Sequence, residues 1–465
     1  MKINSVNPAT EEVNGEFEVF DRKAAVGVAK LARAAFKEWG NEHVDARARH
    51  LLSLSEVLTR NRERYARLIT IEMGKPIKQA LAEIDKCAAT AQVYAKNGRE
   101  WLSDEQLSSD GTRHMVAFEP LGTILSVMPW NFPFWQALRF AIPALTVGNT
   151  SVLRHSNAVP MCALAIEEAF VEAGFPQNTF RTVITDHRGV GALIRSSHID
   201  GVSVTGGLGV GQEVGKMAGK MVKKFVLELG GNDPFIVLDD ADLNFTCRNA
   251  AIARMQNTGQ SCIAAKRFIV TERIAEQFTA NFKEEVERMR VGNPLEMSTD
   301  IGPLANAQQV ETLESQVRDA ADKGGRIILG GKRIGGKGAF FEPTIITNVS
   351  KRMRVLREEV FGPVAPIIVV KDEKQAIRVA NDSDLGLGAS IWTEDAEKAE
   401  AIARSLEVGM VFVNSIVKSD PYLPFGGIKK SGIGRELSKY GLREFANVKA
   451  INFYPASHTH AHNAE

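Results

Sequence analysis

The residues in this 465-residue chain whose types and spacing suit chemistry gather on a thiol and a carboxylate. Cys262 closes the stretch Asn257-Thr258-Gly259-Gln260-Ser261-Cys262, and upstream stands Glu228-Leu229-Gly230-Gly231, where an apolar strand runs into paired glycines. A thiolate is the strongest side-chain nucleophile near neutrality, and a carboxylate that takes a proton from water is what hydrolysis of a thioester requires. Each residue alone has a plainer reading: an isolated Cys as a small buried hydrophobe, an isolated Glu as a solvated surface charge. A third candidate is Asn131, in Pro129-Trp130-Asn131-Phe132-Pro133 directly after an apolar strand. Two prolines fix the backbone around its amide, either to hold a donor for an oxyanion or to make a turn.

The elements around these residues fall into two patterns. Apolar residues recur at helical spacing from Asp21 to Trp39, over a longer region from Asp45 to Met73, and from Ile77 to Trp101, so the first hundred residues read as mainly helical. Ser103 to Glu119 is polar and then strand-like, which suits a hairpin leaving the body of the domain. From Leu121 short apolar strands alternate with helices, the signature of a parallel sheet covered on both faces, with nucleotide sites at the strand ends. The turn Thr205-Gly206-Gly207-Leu208-Gly209 lies between a strand and a helix, where backbone N–H groups attract a pyrophosphate, but its glycines depart from Gly-x-Gly-x-x-Gly. A second alternating run starts at Asp233, and the chain ends on a strand-like Val448 to Tyr454.

Composition narrows the function class. Lys plus Arg number 57 against 56 Asp plus Glu, a formal charge of +1, which gives no electrostatic footprint for nucleic acid. The four cysteines form no Cys-x-x-Cys pair and are too sparse for a disulfide framework or a zinc site, so a reducing compartment and no metal are expected. No apolar run reaches membrane-spanning length and the N-terminus lacks a signal pattern, so a cytoplasmic protein is expected. His458, His460 and His462 stand in a polar tail, 458–465, read as disordered.

Taken together the motifs resemble those of the aldehyde dehydrogenase superfamily: Pro129-Trp130-Asn131-Phe132-Pro133, Glu228-Leu229-Gly230-Gly231, Gly259-Gln260-Ser261-Cys262, Glu359-Val360-Phe361-Gly362-Pro363 and Pro424-Phe425-Gly426-Gly427 occur in the family's order. Within it the chain looks most like short succinate-semialdehyde dehydrogenases. The resemblance implies an α/β fold with a Rossmann-type cofactor domain (1–101 and 120–230), an α/β catalytic domain (231–430) and a small β oligomerisation arm (102–119 and 431–457), in a homo-oligomer, dimer or tetramer. It implies that Cys262 attacks the aldehyde, Asn131 holds the oxyanion and Glu228 activates the hydrolytic water. It implies cofactor contacts from Met128, Pro129, Trp130, Arg154, Ser156, Asn157, Gly206, Gly207, Leu229, Glu359 and Phe361. Where the family favours NAD with a Lys followed three positions later by an acid, this chain has Arg154 and Asn157, a pair that accepts a 2′-phosphate, so NADP is favoured over NAD. Gly207 stands where the family has Ser.

For an acidic substrate such as succinate semialdehyde, the resemblance implies two arginines. Arg139 matches the first, but the second position holds Gln256. Arg139 is read equally as a substrate clamp or as a structural ion pair. Trp135, Phe132, Phe425 and Tyr422 are tunnel candidates. Glyceraldehyde, lactaldehyde or aliphatic aldehydes are the alternative substrates, and an idle member of the fold used for binding is the alternative of another class.

Overall fold

The polypeptide, in a computed structural model that describes residues 1–455, begins with a hairpin, β1 (Lys2–Val6) and β2 (Val13–Glu18), which the helical reading of this region does not anticipate. The residues read as a disordered tail, 458–465, lie outside the described residues. Four helices follow: α1 (Arg22–Trp39), α2 (Val44–Arg60), α3 (Arg62–Met73) and α4 (Ile77–Trp101). The expected single stretch from 45 to 73 breaks at Asn61, whose backbone (φ −95°, ψ 14°) leaves the helical region while its side chain donates to the Val57 carbonyl.

After the arm strands β3 (Glu105–Leu107) and β4 (Arg113–Pro120) come β5 (Thr123–Met128), α5 (Pro133–Val147), β6 (Thr150–His155), α6 (Pro160–Glu172), β7 (Phe180–Thr182), α7 (His187–Arg195), β8 (Gly201–Thr205), α8 (Leu208–Lys220) and β9 (Lys224–Glu228). Strands β5 to β9 are parallel and lie in the order β9-β8-β5-β6-β7. The chain winds from β5 through β6 and β7 on one side, then returns to lay β8 and β9 on the other. β5 is therefore the switch point, and the crevice beyond its C-terminal end is where an open α/β sheet binds ligands. Helix α5 is buried along its whole length and mostly apolar, as a helix enclosed between this sheet and α2 and α4 must be, with Gln136 and Arg139 as its longer polar side chains.

The second half contributes β10 (Pro234–Val237), α9 (Leu243–Met255), β11 (Arg267–Thr271), α10 (Ala275–Glu287), α11 (Ala307–Asp322), β12 (Arg326–Leu329), β13 (Thr344–Thr347), α12 (Arg354–Arg357), β14 (Val364–Val370), α13 (Glu373–Asn381), β15 (Leu385–Gly386), β16 (Gly388–Trp392), α14 (Ala396–Ser405) and β17 (Met410–Val413). Its sheet runs β12-β13-β14-β11-β10-β16-β17, parallel except for β12. Separate apolar clusters cover its two faces, one under α9 and α10 and one under α13 and α14.

The chain then passes through β18 (Ile428–Lys429), β19 (Gly432–Ile433), α15 (Ser438–Glu444) and β20 (Ala446–Phe453). β19 pairs antiparallel with β9, so residues 432–433 belong to the first sheet and not to the arm, and the returning part of the arm begins at Ala446. β20 pairs with β4 along its whole length, giving a three-stranded sheet β20-β4-β3 whose β20 edge pairs with no further strand among the described residues. Among the described residues no helix is long and apolar enough to cross a membrane.

Candidate active site

The thiol is presented by a turn that local preference alone would not choose. Asn257 (φ 55°), Thr258 (φ 56°) and Gly259 (φ 70°) lie consecutively in the left-handed region, which is sterically costly for a β-branched Thr. Tertiary bonds hold it. Thr258 Oγ1 both donates to the Gly302 carbonyl and accepts from the Gly302 N–H, each at 3.1 Å. A Cβ on Gly259 would fall 2.3 Å from the Gly362 carbonyl oxygen, so only glycine fits there.

Three buried side chains lock the turn to its surroundings. Lys266 Nζ donates to the carbonyls of Ser261 (2.9 Å) and Cys262 (2.5 Å). Arg254 donates to the Gly259 carbonyl at 2.6 Å. Asn257 Nδ2 donates to the Asn131 carbonyl at 2.8 Å, fastening the nucleophile turn to the Pro129–Pro133 loop. Asn131 Nδ2 itself donates to the Gln260 carbonyl at 3.0 Å, and since a primary amide carries two N–H groups, one remains for a ligand.

The Pro129–Pro133 loop is anchored from the other side by Glu83 on α4. Its Oε1 accepts from the N–H groups of Phe134 (3.0 Å) and Trp135 (2.9 Å), satisfying orphan donors in the first turn of α5, while its other oxygen pairs with buried Lys75, whose ammonium stands 3.6 Å from the Phe132 ring centre. Neither residue is singled out by the sequence reading. Lys75 stands in the Gly74-Lys75-Pro76 break between α3 and α4, and Glu83 is one charge among several on α4.

Cys262 lines two cavities at once. One, about 260 Å³, lies over the C-terminal ends of the first sheet and is bounded by Pro129, Trp130, Asn131, Thr205, Gly206, Gly207, Leu229, Glu359 and Phe361. Seven of the expected cofactor residues meet there. Met128, Arg154, Ser156 and Asn157 do not line it; they stand at the ends of β5 and β6, with the Ser156 N–H donating to the Met128 carbonyl and Arg154 donating to Thr185 O and Asn157 Oδ1. Helix α8 starts after Gly207 with no side-chain cap, leaving its first N–H groups for an anion, and nothing lies within 4 Å of a Cβ built on Gly207. The residues present thus fit a dinucleotide. Glu359 accepts from the Gly231 N–H at 3.1 Å and faces Lys266 at 3.5 Å.

The other cavity, about 240 Å³, is lined by Trp135, Arg139, Gln256 and Phe425, all expected, and by Phe132, Gln136, Lys86, Lys418 and Ser419. Of these only Phe132 is anticipated. Tyr422 takes no part in either lining; it is 55% exposed and meets Trp101 edge-on. Arg139 is buried, lies over the Phe425 ring at 4.3 Å, and is paired with buried Glu436. The structural ion-pair reading of Arg139 is therefore the one realised, because a guanidinium removed from water needs a counter-charge.

Glu228 lines neither cavity. Its carboxylate is turned toward Gly426, where a built Cβ would fall 2.5 Å from Oε1, and neither oxygen has a hydrogen-bond partner. Burial, reinforced by the Glu436 carboxylate and only partly opposed by Arg139 and Arg435, raises its pKa well above the usual carboxylate range, favouring the protonated form in this conformation. Burial likewise pushes the Cys262 thiol up to about 12, against the opposing influence of Arg139 and Lys266. Alkylation of Cys262 by iodoacetamide in the cofactor-free protein should therefore keep rising about tenfold per pH unit to about pH 10, read by peptide mass spectrometry. A plateau at about pH 8.5, as for an ordinary thiol, would contradict this environment.

A profile of the family described as Aldehyde dehydrogenase family matches residues 1–451. The chain is 42% identical over 451 residues to the probable succinate-semialdehyde dehydrogenase (NADP+) of Synechocystis sp., covering 97% of this chain and 99% of that one. It is 42% identical over 447 residues to the succinate semialdehyde dehydrogenase (NAD(P)+) of Escherichia coli K12, with coverage of 96% and 97%. Among solved structures it is similar to the succinic semialdehyde dehydrogenase of Streptococcus pyogenes in complex with NADP+, at a TM-score of 0.95 and 36% identity over 97% of this chain and all of that one.

Proposed function

Because the chain belongs to the aldehyde dehydrogenase family, we propose that it oxidises succinate semialdehyde to succinate with NADP, and with NAD less well. The observation that supports this most directly is the position of Cys262, the nucleophile of the proposal, in the wall shared by a cavity at the strand ends and a cavity carrying cations. The relatives named succinate-semialdehyde dehydrogenases support the substrate, and Arg154 beside Asn157 supports NADP. Pro129, Trp130, Gly206, Gly207, Leu229, Glu359 and Phe361 would hold the dinucleotide, with Arg154 toward the 2′-phosphate; when bound it supplies the acceptor for the hydride.

In the proposed reaction Cys262 loses its proton to solvent water and Sγ bonds to the aldehyde carbon while the carbonyl π pair moves to oxygen. The resulting oxyanion accepts from the second N–H of Asn131 and from the Cys262 backbone N–H. Loss of the aldehyde hydrogen with its electron pair leaves a thioester on Cys262. Glu228 then takes a proton from water as the water oxygen attacks the thioester, and Sγ leaves. For this step Glu228 must swing from Gly426 toward Cys262, where contact with water restores its charge.

Steady-state rates of nicotinamide reduction with succinate semialdehyde and a panel of neutral aldehydes test the reading. The pairing of Arg139 with Glu436 favours the alternative, a neutral aldehyde, and a higher kcat/KM for glyceraldehyde, lactaldehyde or butanal would establish it. Asn131→Ala is expected to lower kcat by on the order of 10²–10³ with the fold intact, as loss of one oxyanion donor does. A fall of less than about threefold would remove Asn131 from the oxyanion site.

The cytoplasm is the proposed location. Homo-oligomerisation is proposed through the open β20 edge, where Val448 is 59% exposed. Val448→Asp is expected to reduce the mass measured by light scattering on a sizing column, since a charge on an edge strand opposes pairing. An unchanged mass would place the contact elsewhere.

A further inference from the structure

An acidic substrate needs a cation that is not already spent, and Arg139 is spent on Glu436. Lys75, the other buried cation near this wall, is likewise paired with Glu83. Lys86 differs. It projects from α4 into the 240 Å³ cavity that Cys262 also lines, its ammonium stands 4.2 Å from the centre of the Trp135 ring, and it donates to Ser419 Oγ at 2.5 Å. No carboxylate lies within ion-pair distance of it among the described residues. An ammonium held over an aromatic face and fixed by one hydroxyl keeps two of its three N–H donors for an anion.

We propose that Lys86, steadied by Trp135 and Ser419, receives the far carboxylate of the substrate and is the residue that selects an ω-carboxylated aldehyde. The inference rests on the acidic-aldehyde reading above. Ser419 supplies a hydroxyl beside the ammonium, so the carboxylate meets a charged donor and a neutral one. Gln256, the residue at the position of the expected second arginine, lies on the same cavity wall and adds only a neutral amide.

The surroundings of Lys86 accord with this role. Burial, aided by Arg139, lowers its ammonium to about 8, while Cys87, Glu83 and Asp420 oppose the fall. Exposed Lys418 also borders the cavity, and Glu436 stands behind Arg139. A bound carboxylate stabilises the charged form, so preference for the acidic substrate should be full below about pH 8 and decline above it.

The experiment compares kcat/KM for succinate semialdehyde and for butanal, which has the same carbon chain without the carboxylate, in the parent, Lys86→Met and Lys86→Arg. Removing a charge-assisted contact should lower the ratio of the two constants roughly 10- to 100-fold in Lys86→Met, chiefly through KM for the acidic substrate, with Lys86→Arg restoring most of it. Thermal stabilisation of the parent by succinate should be lost in Lys86→Met. An unchanged ratio, or equal losses for both aldehydes, overturns the assignment of Lys86 while the parent's own preference for succinate semialdehyde leaves the substrate reading standing. A parent that prefers butanal overturns both.

Discussion

Cys262→Ser is expected to lower aldehyde oxidation by on the order of 10⁴ or more while leaving the fold and the cofactor cavity intact. The size of the loss follows from chemistry, since a hydroxyl is far less ionised and far less nucleophilic than a thiol, and nothing near position 262 is placed to activate it. Arg139 and Lys266 favour an anion at the sulfur, yet burial still holds the thiol near 12, and a serine hydroxyl would stand higher again. Lys266 Nζ is already committed to the carbonyls of Ser261 and Cys262, and Arg139 is paired with Glu436. The measurement is single-turnover nicotinamide reduction, with intact-protein mass spectrometry to look for an acylated enzyme. Oxidation at near the parental rate would show that no covalent thio-intermediate forms.

The second large effect is expected far from the reacting atoms. Glu83→Ala should destabilise the protein by about 3–5 kcal/mol, because it strands the Lys75 ammonium in the interior and removes the acceptor for two N–H groups in the first turn of α5. Lys75 is 1% exposed and Glu83 5%, so water cannot substitute for the lost partner. A double change, Lys75→Met with Glu83→Leu, should recover much of the stability, since a paired charge exchanged for packed apolar groups is often neutral. Activity should recover less, because the N–H groups of Phe134 and Trp135 would still lack their acceptor and Asn131 stands just ahead of them. Urea unfolding midpoints and kcat of the three proteins separate the two effects. A single variant within about 1 kcal/mol of the parent would show the pair to be ornamental.

Much of this architecture is legible in the sequence where local pattern and tertiary demand agree. Strands such as Thr123–Met128 and Gly201–Thr205 are buried on both faces and carry no charge, their apolar residues interrupted only by Gly and small hydroxyl residues, so their alternation with helices gives the parallel sheet directly. The β11 strand does not announce itself in the same way, because Lys266-Arg267 opens it with two charges that only the folded chain neutralises, through carbonyls of Asn232, Val379 and Ala380 around Arg267. The hairpin Lys2–Glu18 is half polar and follows no strict alternation, which hides it beside strongly helical neighbours. The same contrast holds at the site. Cys262, Asn131 and the glycine turns are visible because their neighbours constrain the backbone. Lys86, Glu83, Gln136 and Glu436 are invisible, since each owes its importance to a partner distant in sequence, as Arg139 owes its own pairing to Glu436.

The antiparallel strand that residues 432–433 add beside Lys224–Glu228 bears on how the molecule is made. Ser431 donates to the Gly230 carbonyl at 2.7 Å across 201 positions, and its carbonyl accepts from the Leu229 N–H at 2.8 Å. During synthesis, then, the border of the first sheet stays unsealed until residues 432–433, some two hundred positions after β9, have left the ribosome. Such late, non-local closure makes for slow maturation and leaves a nascent border exposed to neighbouring chains. The segment that carries Glu228 would be among the last to acquire its native environment, so translation itself delays the appearance of a competent enzyme.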